Sequence, residues 1–207
     1  MDDQGVATED QVILAWLQAE IESVSFQQYI VGEPPNPVYL TRALKAARSP
    51  NLKDAEQNDL RRRIITKTHG FGLGMLSFEG LANDIKWHKA RASAEEVGEM
   101  LYASRHEAWT ALAPVTRKVA EGASNVGHLF TGDVTNMLVL ALALRICESN
   151  PAPALPEIIC LKRPDGHLVI MEGHTRATAI VLEGHRFAHG VQIYIGESPS
   201  VASWAYL

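Results

Sequence analysis

The hydrophobic pattern changes period near residue 150, and this limits the folds open to the chain. Before that point apolar residues recur at helical spacing; after it, short apolar runs alternate with turn signals. Thr8 is a candidate N-cap with acidic residues behind it, and Val12, Trp16, Ala19 and Val24 continue the stripe of a first helix that should end before Gly32. Glu33-Pro34-Pro35-Asn36-Pro37 reads as a stiff, extended connector. Helices are expected from Val38 to Arg48 and from Asp54 to about Lys67, the second with Leu60, Ile64 and Ile65 facing inward. Ser93 followed by Glu96 is a capping box, opening a helix expected to reach Leu112, ahead of Pro114. Thr131 to Cys147 reads as a buried helix, ended by Asn150-Pro151-Ala152-Pro153.

Beyond that boundary, Glu157 to Leu161 and His167 to Met171 read as strands joined by the turn Arg163-Pro164-Asp165-Gly166. Glu172 to Thr175 is a tight loop, Arg176 to Leu182 a short helix, and Val191 to Ile195 a third strand. Ser198-Pro199 offers an N-cap and a first-turn proline for a final helix ending in Trp204-Ala205-Tyr206-Leu207. The fold class is therefore α+β, with a mostly helical part over residues 1–150 packed on a small mixed β-sheet unit over 151–207. The two parts form either separate units or one compact domain.

Composition excludes several classes. A chain of 207 residues supports one sizeable domain or two small ones. With 19 Lys and Arg against 24 Asp and Glu, the net charge of −5 lacks the overall basic field of a general nucleic-acid binder. The polar, acidic stretch Met1 to Asp10 does not have the form of a signal peptide. The longest apolar run, Met137 to Leu144, is eight residues, whereas a membrane span needs about 20; it reads as core. Cys147 and Cys160 make neither a disulfide framework nor a zinc spacing, so both read as reduced thiols in a cytoplasmic protein.

The segment richest in chemistry is Met171-Glu172-Gly173-His174-Thr175-Arg176-Ala177, where a strand gives way to a helix. The first amides of a helix have no partner inside it, and its dipole makes that end positive, so it attracts an anion and above all a phosphate. Gly173 lets backbone approach a ligand closely, and Arg176 adds a fork of donors matched to phosphate oxygens. Thr175 can cap the helix or donate to the ligand, and His174 can donate, accept or shuttle a proton. A carboxylate at Glu172 would repel a bare phosphate, so its use is in holding a metal ion or a substrate hydroxyl. The structural alternative is a glycine turn whose neighbours only cap and pair.

This box, with a hairpin before it and a strand after it, resembles the superfamily shared by ParB and sulfiredoxin, whose Gly-x-x-Arg type box holds nucleotide phosphates. Its spelling is similar to the Asp-Gly-His-Thr-Arg of the free serine kinases in that superfamily, with Glu172 in place of Asp and Gly173, His174, Thr175 and Arg176 unchanged. The resemblance implies a ParB/sulfiredoxin-like fold for the C-terminal unit and ATP or another nucleotide with Mg²⁺ as cofactors. It implies cofactor-binding roles for Gly173, Thr175 and Arg176, and places Glu172 at the metal or phosphoryl-transfer centre. His174 would then orient or protonate the transferring group. The reactive Cys of sulfiredoxins is absent between Met171 and Thr178, and ParB's arginine-rich box and following helix-turn-helix have no counterpart here. The resemblance spans Pro156 to about Tyr206. Separately, Glu56-x-Asn58-x-x-Arg61-Arg62-Arg63 and the loop His69 to Gly74 are similar to a bacterial family without an assigned function.

Weaker candidates lie elsewhere. Arg61-Arg62-Arg63 reads first as a solvated face with local ion pairs, or else as a second phosphate clamp or RNA face. The glycine-rich loop His69 to Gly74 is an ordinary loop or a lid over the C-terminal site. Tyr102, Arg105, His106 and Trp109 fall at spacings of three, four and seven on one face of the expected helix. That stripe is core with a polar edge, or a substrate surface formed by Arg105, His106 and Trp109. No His-Glu-x-x-His or zinc-spaced set occurs among the eight histidines.

The expected function is a nucleotide-dependent phosphotransferase or NTP hydrolase acting on a small hydroxylated molecule. Its catalytic residues would be Glu172 and His174, and its partners the nucleotide and that substrate. The alternatives are a non-catalytic nucleotide-sensing module that signals through its helices, and a ParB-like nuclease or nucleic-acid binder, which the net charge disfavours.

Overall fold

Strands covered by helices on both sides must be apolar on both sides, and the C-terminal strands of this chain are. The computed structural model describes residues 1–21, 37–69, 84–126 and 134–207. The first helix's end before Gly32, the connector 33–36, the glycines 70–74 and the start at Thr131 lie outside the described residues. The described chain forms β1 (Asp2–Ala7), α1 (Glu9–Glu20), α2 (Pro37–Arg48), α3 (Ala55–His69), β2 (Lys86–Ala92), α4 (Ala94–Gly98), α5 (Glu107–Leu112), α6 (Val119–Asn125) and α7 (Val134–Glu148). It continues through β3 (Ile158–Lys162), β4 (Leu168–Glu172), α8 (His174–Leu182) and β5 (Val191–Glu197), and a 3-10 turn at Pro199–Ser203. This is an α+β architecture.

The strands make one five-stranded mixed sheet in the order β1-β2-β5-β3-β4. Only the β3–β5 pair is parallel; β1–β2, β2–β5 and β3–β4 are antiparallel. α8 carries the chain from β4 across to β5, beside β3, and so sits on the sheet with its N-terminus at the β4 end. Alternation sorts the side chains onto two faces. Ile159, Leu161, Val169, Met171 and Tyr194 join Val12, Trp16, Leu17, Ile64 and Ile65 in one buried cluster, under α1 and α3. Ile158, Cys160, Leu168, Ile170 and Ile193 join Val97, Met100, Tyr102, Ala177 and Ile180 in another, under α4 and α8.

Several expectations are met. Thr8 caps α1 with a full capping box to Gln11, Ser93 caps α4 with one to Glu96, and Leu60, Ile64 and Ile65 are buried. Ser198 caps the last turn, which is 3-10 rather than α.

Others are corrected. The part before residue 150 is not purely helical: Asp2–Ala7 is β1, and Lys86–Ala92 is β2, paired residue by residue with β5 from Lys86 opposite Glu197 to Ala92 opposite Val191. Residues before 150 thus supply two strands of the sheet. The helix expected from Ser93 to Leu112 breaks after Gly98, because Leu101 hydrogen-bonds β4 instead. Its N–H donates to the Leu168 carbonyl at 2.8 Å and its carbonyl accepts from the Ile170 N–H at 2.9 Å. α7 is not buried all round: Val139, Ala143 and Ile146 face inward, while Met137, Leu138 and Leu144 are 64%, 56% and 60% exposed. Arg61 does not belong to a solvated face; it is fully buried and donates to the Ala46 carbonyl at 2.9 Å.

Candidate active site

The site is built outward from Gly173. It follows β4 at φ 104° and acts as N-cap of α8, a left-handed conformation that other L-residues rarely adopt. A Cβ there would sit 2.9 Å from Arg176 Nη2 and 3.4 Å from Ile158 Cα, so the absence of a side chain also lets the arginine lie across the turn. No side chain caps α8: Thr175 lies in its first turn and lines the cavity without closing it. The Ala177 N–H donates to the Gly173 carbonyl at 2.8 Å and closes the first turn, ahead of which the leading amides of α8 have no intrahelical acceptor.

In front of that helix end is a cavity of about 280 Å³, lined by Glu172, Gly173, His174, Thr175 and Arg176 together with Trp16, Glu20, His69, His106, Trp109 and Met171. Glu20 ends α1 and His69 ends α3, so both come from the opposite helical layer. The His69 Nε2 lies 3.6 Å from Glu20 Oε1, its Nδ1 lies 2.9 Å from the Thr68 hydroxyl, and its ring leans on Trp16 with centroids 5.2 Å apart.

Arg176 donates through Nη2 to Glu172 Oε1 and to the Glu157 carbonyl, each at 3.3 Å, while its buried Nε has no partner among the described residues. Burial raises the Glu172 carboxyl above its usual value; the Arg176 guanidinium and His69 oppose that shift, and Glu20 adds to it. A carboxyl moved toward neutrality is suited to taking a proton there.

His174 is 7% exposed. Its ring stacks on Trp109 (centroids 5.4 Å apart) and on Tyr102 (6.0 Å), and His106 tilts against it at 5.0 Å. The Tyr102 hydroxyl is 2.7 Å from Thr178 Oγ1, and the Thr178 hydroxyl donates to the His174 carbonyl at 2.8 Å, which locks this packing. Burial, then His106 and Arg176, hold the His174 imidazole well below its ordinary basicity. It is therefore neutral at pH 7, and its Nε2 is buried without a hydrogen-bond partner among the described residues. Burial lowers His106 as well.

The structure brings together all of the expected site residues except Arg105, which sits over the Tyr206 ring at 6.0 Å and does not line the cavity. His106 and Trp109 do line it, but from the start of α5 rather than from one long helix shared with Tyr102. Trp16 and Glu20 were not expected; no local pattern marks a glutamate at a helix end as facing a turn some 150 residues away.

Among the described residues no group of three or more His, Cys, Asp and Glu is placed to hold a metal ion by itself. A magnesium ion here would have the carboxylates of Glu172 and Glu20 and would take its other ligands from phosphate oxygens and water, which is its common mode. Matched against protein-family models, curated proteins and solved structures, the chain gives no match.

Proposed function

We propose that this cavity binds the phosphate end of a nucleotide and supports phosphoryl transfer to a small hydroxylated molecule, in the manner of the ParB/sulfiredoxin-like kinases. The observation that carries it is a buried, uncapped helix start beside two buried polar atoms that lack partners among the described residues, Arg176 Nε and His174 Nε2. Buried polar groups are nearly always satisfied, and phosphate oxygens would satisfy these.

The amides of α8 and Arg176 hold the phosphates. Glu172 accepts the proton of the acceptor hydroxyl as its oxygen bonds to the terminal phosphorus and the bond to the nucleoside diphosphate breaks. Held neutral, His174 orients a phosphoryl oxygen rather than delivering a proton as a cation. Magnesium would neutralise charge on the transferring group. Glu20, His69, His106 and Trp109 line the same cavity, and the acceptor would lie among them.

The test is thermal melting against ATP, ADP, GTP, CTP and UTP, each with and without magnesium. A nucleotide at 100 times its Kd stabilises by about 2.7 kcal/mol, or roughly 5–11 °C for a chain of this size. Arg176→Ala should remove the shift, and Glu172→Gln should keep binding while losing turnover at least a hundredfold. Binding without turnover in the unaltered chain would instead make this a nucleotide-sensing module. No shift with any nucleotide would sink the proposal.

A further inference from the structure

A second cleft, of about 420 Å³, shares no lining residue with the cavity in front of α8 and is larger than it. One wall is the segment Pro151-Ala152-Pro153-Ala154-Leu155-Pro156, whose three prolines have fixed φ and offer no N–H. Ile158, Ile180, Phe187 and Val191 also line it and make its lining mostly apolar.

One cation lies in this apolar lining. Arg186 contributes to the wall, and its Nη2 donates to the Ser149 carbonyl. Among the described residues its buried Nε has no hydrogen-bond partner and no carboxylate pairs with it. The carboxylate at the rim, Glu157, is taken by Lys89 at 3.3 Å, and Glu183 lies 4.0 Å from His185. A guanidinium against apolar walls without a counter-ion favours an anion that brings its own apolar body. The volume falls in the range of small-molecule sites, which are mostly apolar with a few placed polar groups.

We propose that this cleft binds a small monocarboxylic acid with an aliphatic or aromatic body, its carboxylate on Arg186 and its apolar part between the proline segment and Phe187. The site is separate from the phosphate-binding reading and does not depend on it.

The experiment is isothermal titration of the full chain with isovalerate, benzoate and phenylacetate, each beside its uncharged primary amide, and with acetate as the carboxylate lacking an apolar body. The apolar acids should bind at least tenfold more tightly than their amides, which lose the charge-assisted hydrogen bond, and than acetate, which loses the apolar contact. Arg186→Gln should erase the preference for acid over amide, and Phe187→Ala should weaken the acids without erasing that preference. Equal binding of acid and amide to the unaltered chain overturns the proposal, as does an acid preference that survives in Arg186→Gln. Heat from none of the three acids overturns it too, and needs no variant to fold.

Discussion

At the scale of single residues, the run Arg61-Arg62-Arg63 shows how three identical side chains meet three environments. Arg61 is buried and donates to the carbonyls of Ala46 and Asn51 and to the side chains of Gln57 and Asn58, tying α3 to the end of α2 and the turn after it. Arg62 reaches Glu9 at 2.7 Å and Asp10 at 3.1 Å in the first turn of α1. Arg63 is exposed and donates to the Asp59 carbonyl in its own helix. Arg61→Ala leaves buried acceptors unsatisfied and should cost about 3 kcal/mol, a fall in Tm of roughly 6–12 °C. Arg63→Ala should stay within about 0.5 kcal/mol. Thermal melting of the two variants checks this, and equal losses would refute the assignment. The sequence marks the run as basic but not which arginine is inside, because burial here depends on the partner helix α2.

At the scale of elements, the turn from β4 into α8 was the most legible part of the site. Its logic is local: a glycine at positive φ, a helix start and an arginine one turn on. Gly173→Ala adds left-handed strain of about 1–2 kcal/mol and puts a methyl against Arg176 Nη2. The variant should melt a few degrees lower and lose nucleotide-induced stabilisation; a variant that keeps the full ligand shift would show that Arg176 need not lie across the turn. The stretch 99–106 was least legible. Its composition suits a helix, yet Leu101 pairs with the outer edge of β4, and the backbone bonds gained there replace those a helix would supply. β2, reading Lys-Trp-His-Lys-Ala-Arg-Ala, carries long polar side chains on a half-buried strand and lacks the β-branched residues that announce one. The same limit applies to α7, whose continuous apolar run does not reveal that Met137, Leu138 and Leu144 face outward.

At the scale of the whole molecule, the core crosses residue 150. Trp16, Trp87 and Leu101 share one buried cluster with Ile159, Leu161 and Tyr194, and β5 lies between β2 and β3. A fragment of residues 151–207 would expose one long edge of β5 and the sheet face that α1 and α3 cover. Expressed alone it should show no cooperative thermal transition, whereas the full chain should; a cooperative melt of the fragment would establish an independent unit. The candidate site has the same composite origin. The N-cap at Thr8, the capping box at Ser93, the hairpin and the glycine turn could all be read from the chain, because each is decided by residues within a few positions of one another. The pairing of β1 and β2 with the C-terminal strands, the burial of Arg61 and the arrival of Glu20 and His69 opposite Glu172 could not. Those contacts join segments far apart in sequence, and their free energy comes from surfaces that exist only once both sheet faces are covered.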